Sequence, residues 1–137
     1  MKQFKLQIIA ADGIFLDDMV ESVIVRTTVG DKGILAGHEP YVAALTIGKV
    51  KVKMNGTDRY AAISAGVIKV SKDKTTILAQ SVEWADKIDV SRAEAAKKKA
   101  EEKLAQTEKG QREFDIAEFK LKRALNRIDV AQFRDIK

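Results

Sequence analysis

A chain of 137 residues, 45% hydrophobic and 33% charged, is long enough for one ordinary core and too balanced in charge to stay disordered throughout. It holds no cysteine, which excludes disulfides, thiolate metal sites and a cysteine nucleophile and suits a reducing compartment. The net charge of +5 arises from 25 basic residues interspersed with 20 acidic ones, which leaves little far field for a nucleic acid and reads more simply as a solvated surface.

The N-terminus, MKQFKLQIIAADG, lacks a long apolar stretch followed by a small-residue cleavage site, and no segment reaches the roughly 18 apolar residues of a membrane span. The expected setting is the cytosol or a cytosol-facing surface. In FKLQI the apolar Phe4, Leu6 and Ile8 alternate with Lys5 and Gln7, as a half-buried strand requires. The adjacent Asp17 and Asp18 are expected in a turn. ESVIVRTT is a β-branched strand run. His38, the only histidine, falls between Gly37 and a Glu-Pro pair, where an exposed loop or interface is expected in place of catalysis. Without a second histidine or clustered carboxylates, no metal site is expected.

Val50, Val52 and Met54 alternate with Lys49, Lys51 and Lys53 before Asn55-Gly56, a strong hairpin signal. VIKVSKDKTTILAQ repeats the pattern around a polar turn near Asp73. Seven of the eight glycines and the sole proline, Pro40, precede Trp84. The fold class expected is α+β: an antiparallel β-sandwich or flattened barrel over residues 1–84, then a helical hairpin over 85–137.

Asp89 can cap a first helix with the stripe Ala93, Ala96, Ala100 and Leu104. Thr107 and Gly110 interrupt it, and a second stripe follows: Phe114, Ala117, Leu121, Ala124 or Leu125, and Ile128. Each buried alanine methyl contributes only about 0.8 kcal/mol, so the two helices should dock weakly while remaining helical. Lys97 to Lys99 and Glu101-Glu102 read as solvated helix surface. Folding the hairpin about residue 108 brings Arg92 opposite Arg123 and Arg127, which lie four apart on one face. Such a cluster requires either carboxylates, of which Glu83, Asp86 and Asp89 are nearest, or a bound anion such as phosphate. No GxxxxGK[ST] loop is present, so a nucleotide held here would not be expected to undergo hydrolysis.

The segments VRTTVGDKGILAGHEPYVAAL, IGKVKV, AISAGVIKV and TTILAQSVEWADKIDVSRAEAA, with LKRALNRIDVA near the end, resemble the epsilon subunit of bacterial F-type ATP synthases over essentially the whole chain. The resemblance implies a non-catalytic central-stalk subunit of a proton-translocating synthase, peripheral on the cytoplasmic face of the bacterial membrane; the isolated chain is expected to be a monomer. Its sandwich would pack on the gamma subunit and touch the ring of c subunits through the loop around Asp31, Lys32 and His38. Its hairpin would either fold against the sandwich or extend into the alpha/beta catalytic head. There Lys122, Arg123 and Arg127 would meet an acidic loop of the beta subunit and inhibit ATP hydrolysis.

Members from Bacillus-like organisms bind ATP as a regulatory ligand through a motif of the form Ile/Leu-Asp-x-x-Arg-Ala, which Ile88-Asp89-Val90-Ser91-Arg92-Ala93 is similar to at every defined position. The implied set is Glu83, Ile88, Asp89, Arg92, Ala93, Lys99, Arg123 and Arg127. Arg92, Arg123 and Arg127 would face phosphates, whereas Glu83, Asp89 and the backbone near Ile88 and Ala93 would face adenine and ribose. Lys99 stands where the family often has arginine, and Ala36 where it commonly has proline. Three alternatives remain: the same subunit with arginines engaged only in ion pairs; a nucleic-acid or ribosome-associated module, which 6% aromatic content disfavours; and, least favoured, a stand-alone enzyme whose turnover would depend on His38.

Overall fold

Period-two alternation builds the first half of the chain. A computed structural model describes residues 2–134. Ten strands come first: β1 (Phe4–Ala10), β2 (Gly13–Val20), β3 (Ser22–Thr27), β4 (Gly30–Leu35), β5 (Tyr41–Leu45), β6 (Gly48–Met54), β7 (Thr57–Ile63), β8 (Gly66–Val70), β9 (Thr75–Ala79) and β10 (Val82–Trp84). One 3-10 turn (Ala85–Lys87) leads to helices α1 (Val90–Gln106) and α2 (Arg112–Ala131). Leu6 and Ile8 of β1, Val23 and Val25 of β3, and Val50 and Val52 of β6 all turn into one buried cluster, while the lysines between the β6 valines stay outside. Between β6 and β7, Asn55 and Gly56 take φ values of 52° and 77°, the two positive angles of a tight hairpin turn.

The strands form one sheet in the order β10-β7-β6-β3-β5-β8-β9-β1-β2, with β4 also paired to β3. Its two ends meet through side chains: Phe15 of β2 stacks on Trp84 of β10 at 4.7 Å, and the Arg59 guanidinium carbon lies 3.8 Å from the Trp84 ring. The result is a nearly closed, flattened barrel. Two expectations are corrected. The sheet is mixed, because β1 runs parallel to β9. Parallel neighbours are not joined by a tight turn, so the local pattern that marks hairpins carries no sign of this pair. Asp17 and Asp18 lie within β2 and not in a turn. Asp17 is opposite Gln7 on a wet face, and its carboxylate pairs with Lys5 at 2.8 Å.

Asp89 caps α1 as expected, its carboxylate accepting from the Arg92 amide at 3.0 Å. Ala93, Ala100, Ala117 and Ala124 are buried in the seam between the helices, with Phe114, Leu121 and Ile128 half-buried beside it. Leu125 is exposed, so Ala124 takes the seam position. Ala96, expected in the seam, is exposed on its flank: the buried Ala93 and Ala100 lie seven residues apart, about two turns, and Ala96 is rotated off the line that joins them. A second buried cluster fixes the end of α2 to the barrel: Val130 and Ala131 pack with Tyr60, Ala62, Ala85 and Ile88. Phe133 stacks on Tyr60 at 4.6 Å, with Lys49 Nζ 4.1 Å above the Phe133 ring. Asn126 Nδ2 donates to the Gly48 carbonyl at 2.9 Å, and Arg134 Nη2 to the Ile88 carbonyl at 3.2 Å. No helix among the described residues is long and apolar enough to cross a membrane.

Candidate functional site: the groove between hairpin and barrel edge

The small residues of the seam leave a groove of about 810 Å³ between α1, α2 and the β10 edge. Six cations line it, namely Arg92, Lys99, Lys103, Lys120, Arg123 and Arg127, against the carboxylates Glu83, Glu102 and Glu113. Regular helices position the cations: Arg92, Lys99 and Lys103 share one side of α1, and Lys120, Arg123 and Arg127 recur at three and four along α2. Ala96 and Ala100 form apolar floor between them.

Glu83 already meets one of these cations. Its Oε1 accepts from Arg127 Nε and its Oε2 lies 3.4 Å from Arg127 Nη2, a two-pronged contact across the root of the hairpin. Relative exposures of 18% for Arg127 and 31% for Glu83 place the pair largely out of water. Asp86 reaches Arg59 instead, at 3.9 Å, and Asp89 is occupied by the α1 cap. Arg92 and Arg123 therefore have no carboxylate partner among the described residues. Two guanidinium groups without a carboxylate partner of their own thus lie in a cleft lined by more cations than carboxylates, and a guanidinium can match a phosphate with two parallel hydrogen bonds.

Of the residues singled out from sequence, Glu83, Arg92, Lys99, Arg123 and Arg127 converge on the groove. Ile88, Asp89 and Ala93 do not line it: Ile88 belongs to the second buried cluster, Asp89 caps α1 and Ala93 is sealed in the helix seam. Lys122 lies on the far side of α2, with Nζ 3.8 Å from Glu118. Lys103, Lys120, Ser81 and Val82 line the groove without having been singled out; the spacings Lys99–Lys103 and Lys120–Arg123–Arg127 carry the signal for the two lysines.

Asp31 and Lys32 sit on β4, not in a loop, because β3 and β4 form a full hairpin ladder. Asp31 pairs with Arg26 at 3.1 Å beside the tip, where Val29 is almost fully exposed. Lys32 Nζ lies 5.2 Å from the Tyr41 ring, which His38 meets edge-on at 5.8 Å. On the outer barrel face, the ladders of β5, β8, β9, β1 and β2 align Ala44, Val67, Leu78, Ile9 and Ile14 in one row. Val67, Leu78 and Ile14 are 41%, 51% and 63% exposed, a contiguous apolar strip of the kind that marks an interaction surface.

Comparison with known proteins places the whole chain. Residues 3–85 match the family described as ATP synthase, Delta/Epsilon chain, beta-sandwich domain, and residues 86–132 match its long alpha-helix domain. An ATP synthase epsilon chain of Ruminococcus albus is 47% identical over 132 residues, spanning 96% of this chain and 98% of that one. One from Bacillus velezensis is 48% identical over 133 residues, again 96% and 98% of the two chains. Among solved structures, a chain of the Euglena gracilis mitochondrial ATP synthase, OSCP/F1/c-ring, superposes with a TM-score of 0.77 at 25% identity, over 88% of this chain and 76% of that one. A chain of the Tetrahymena thermophila mitochondrial central stalk and c-ring shares the fold alone, with a TM-score of 0.57 at 12% identity over 96% and 95% of the chains. With two domain matches in tandem and near-half identity from end to end, the chain belongs to the ATP synthase epsilon chain family.

Proposed function

We propose that this chain is a rotor subunit that links the catalytic head of an F-type ATP synthase to its c ring, with the gamma subunit on the apolar strip of the barrel. An epsilon chain is a stalk subunit and not catalytic by itself. The Val29 tip, Lys32 and His38 are the surface offered to the c ring. The assembly sits at the membrane periphery on its cytoplasmic face.

In this reading the hairpin is the regulatory part, and its groove takes ATP. The observation that carries the nucleotide is the pair of arginines, Arg92 and Arg123, left without carboxylates in a cleft also lined by Lys99, Lys103 and Lys120. A triphosphate there bridges α1 and α2, so it binds the folded hairpin better than the extended one and shifts the equilibrium toward folding. Arg123 and Arg127 face the groove in the folded hairpin and are withheld from the catalytic head, where they and Lys122 would otherwise meet acidic beta-subunit groups.

Calorimetric titration of the isolated chain with ATP tests the site. Saturable binding is expected, weakened about tenfold or more by either Arg92→Ala or Arg123→Ala, as loss of a charge-assisted contact requires. No heat at millimolar ATP would leave the second reading, favoured by the Glu83–Arg127 pair, in which the arginines serve only ion pairs and subunit contacts. The inhibitory role is checked separately. Assembled enzyme carrying a chain truncated after Lys87 should hydrolyse ATP faster than enzyme with the full chain, and equal rates would refute inhibition by the hairpin.

A further inference from the structure

The first two residues of β6 both reach α2. A Cβ at Gly48 would lie 2.8 Å from the Cβ of Arg26, so glycine lets β6 begin hard against β3, where the Thr46 amide also donates to the Arg26 carbonyl at 3.1 Å. From that fixed corner the Gly48 carbonyl accepts from Asn126 Nδ2 at 2.9 Å. Strand alternation turns the next side chain, Lys49, to the outer face beside Ala62, its partner on β7. Its Nζ stands 4.1 Å from the centroid of the Phe133 ring and 5.5 Å from that of Tyr60. Lys51, two residues on, pairs instead with the Asp58 carboxylate at 3.5 Å. Asn126, Val130 and Phe133 recur at four and three along the end of α2. Adjacent residues of one strand thus grip both ends of this line, with Val130 fully buried between them. The last turn of α2 has no basic side chain, and its terminal carbonyls carry partial negative charge. The Lys49 ammonium, held on Phe133 just past that end, brings a cation to it from the barrel.

We infer that Gly48 and Lys49 are a clasp that holds the hairpin on the barrel without any ligand, and that the clasp depends on the Lys49 charge. An ammonium over a ring face is attracted by the ring's quadrupole, more strongly where both are partly desolvated. Such a hold is lost when the charge is removed, even if the length of the side chain is kept. Detaching α2 here is also the step that frees the hairpin as a whole. Ile88 before α1 and Val130 and Ala131 at the end of α2 share one buried cluster, and Arg134 joins the two ends by donating to the Ile88 carbonyl at 3.2 Å. Parting the alanine seam separates the helices from each other but leaves both ends of the hairpin on the barrel. Gly48, Lys49, Tyr60 and Phe133 lie outside the groove lining, so the clasp and a groove ligand act separately on the same equilibrium. Its bearing on ATP hydrolysis, unlike the clasp itself, rests on the regulatory reading above.

Hydrogen exchange of the ligand-free full chain, followed by mass spectrometry, tests the clasp. Lys49→Met keeps most of the stem and removes the charge. Exchange over residues 85–90 and 124–134 should then accelerate about fivefold, the scale of one cation–ring contact, with β1 to β5 unchanged. Lys49→Arg keeps the charge and should restore most of the protection. In Phe133→Leu chain, which lacks the ring, Lys49→Met should add little further, since residues in contact couple. Asn126→Ala, which takes the donor from the Gly48 carbonyl, should accelerate the same segments, and unchanged exchange there would overturn the part given to Gly48. Unaltered exchange in Lys49→Met overturns the clasp. So does an acceleration that Lys49→Arg shares in full, or one undiminished in Phe133→Leu chain, because either assigns the effect to something other than a charge on the ring. Acceleration spread evenly over the barrel would mark support of the fold and overturn it too. If Lys49→Met does not fold by circular dichroism, Lys49→Gln takes its place with the same expectations. In assembled enzyme, Lys49→Met should lower the rate of ATP hydrolysis with the full chain and leave it unchanged with the chain truncated after Lys87. Faster exchange with an unchanged hydrolysis rate would keep the clasp and remove the inhibitory reading, so the two fail separately.

Discussion

Gly66 has no room for a side chain: a Cβ there would lie 2.0 Å from the Leu78 carbonyl oxygen on β9. Relief requires β8 and β9 to part, so Gly66→Ala is expected to destabilise the barrel by about 3 kcal/mol, measured as a lower urea midpoint. An unchanged midpoint would mean that the strands yield without loss. Nothing in AISAGVIKV separates this glycine from Gly56, whose role is its positive φ in an open turn. At the groove, legibility was similarly uneven. Helical spacing brought Arg92, Arg123 and Arg127 together, because a regular helix converts sequence distance into direction. It left open which arginine Glu83 would reach, because that depends on where β10 ends relative to α2. Val82 carries no chemistry in its side chain, so nothing in the sequence marked its place in the groove lining.

The hairpin is held by two elements of different character. Along its length the seam is alanine, and at its root the last turns of α2 bury Val130 and Ala131 and stack Phe133 on Tyr60. The root is the stronger hold, because an aromatic contact buries far more surface than a methyl. Phe133→Ala is therefore expected to loosen α2 from the barrel by about 2 kcal/mol, with hydrogen exchange accelerating in both helices and hardly at all in β1 to β9. Uniformly unchanged exchange would place the hold in the seam instead. The hairpin itself was legible, because its alanines recur at three and four. Its seam was not fully so: Ala96 falls outside it because two packed helices, not one helix alone, decide which flank faces inward. The parallel β1–β9 pair stayed hidden for a related reason, since a period-two pattern says which face is buried and not which strand lies alongside.

Across the whole molecule the two halves present different surfaces, an apolar strip on the barrel and a cationic groove under the hairpin. The strip needs the register of five strands before Ala44, Val67, Leu78, Ile9 and Ile14 fall into line, so no single segment announces it. Leu78 is central in that row and exposed, so Leu78→Asp should leave the fold intact and abolish co-purification with a gamma subunit, whose docking face would have to accept a buried charge. Retained association would move the gamma contact elsewhere. The barrel seam has a consequence of another sort. Trp84, the chain's single tryptophan, closes that seam against Phe15 and under Arg59, one residue beyond Glu83 at the foot of the hairpin. The molecule thus carries its own fluorophore at the point where the hairpin leaves the barrel. In the isolated chain, indole emission reports that point without an added dye.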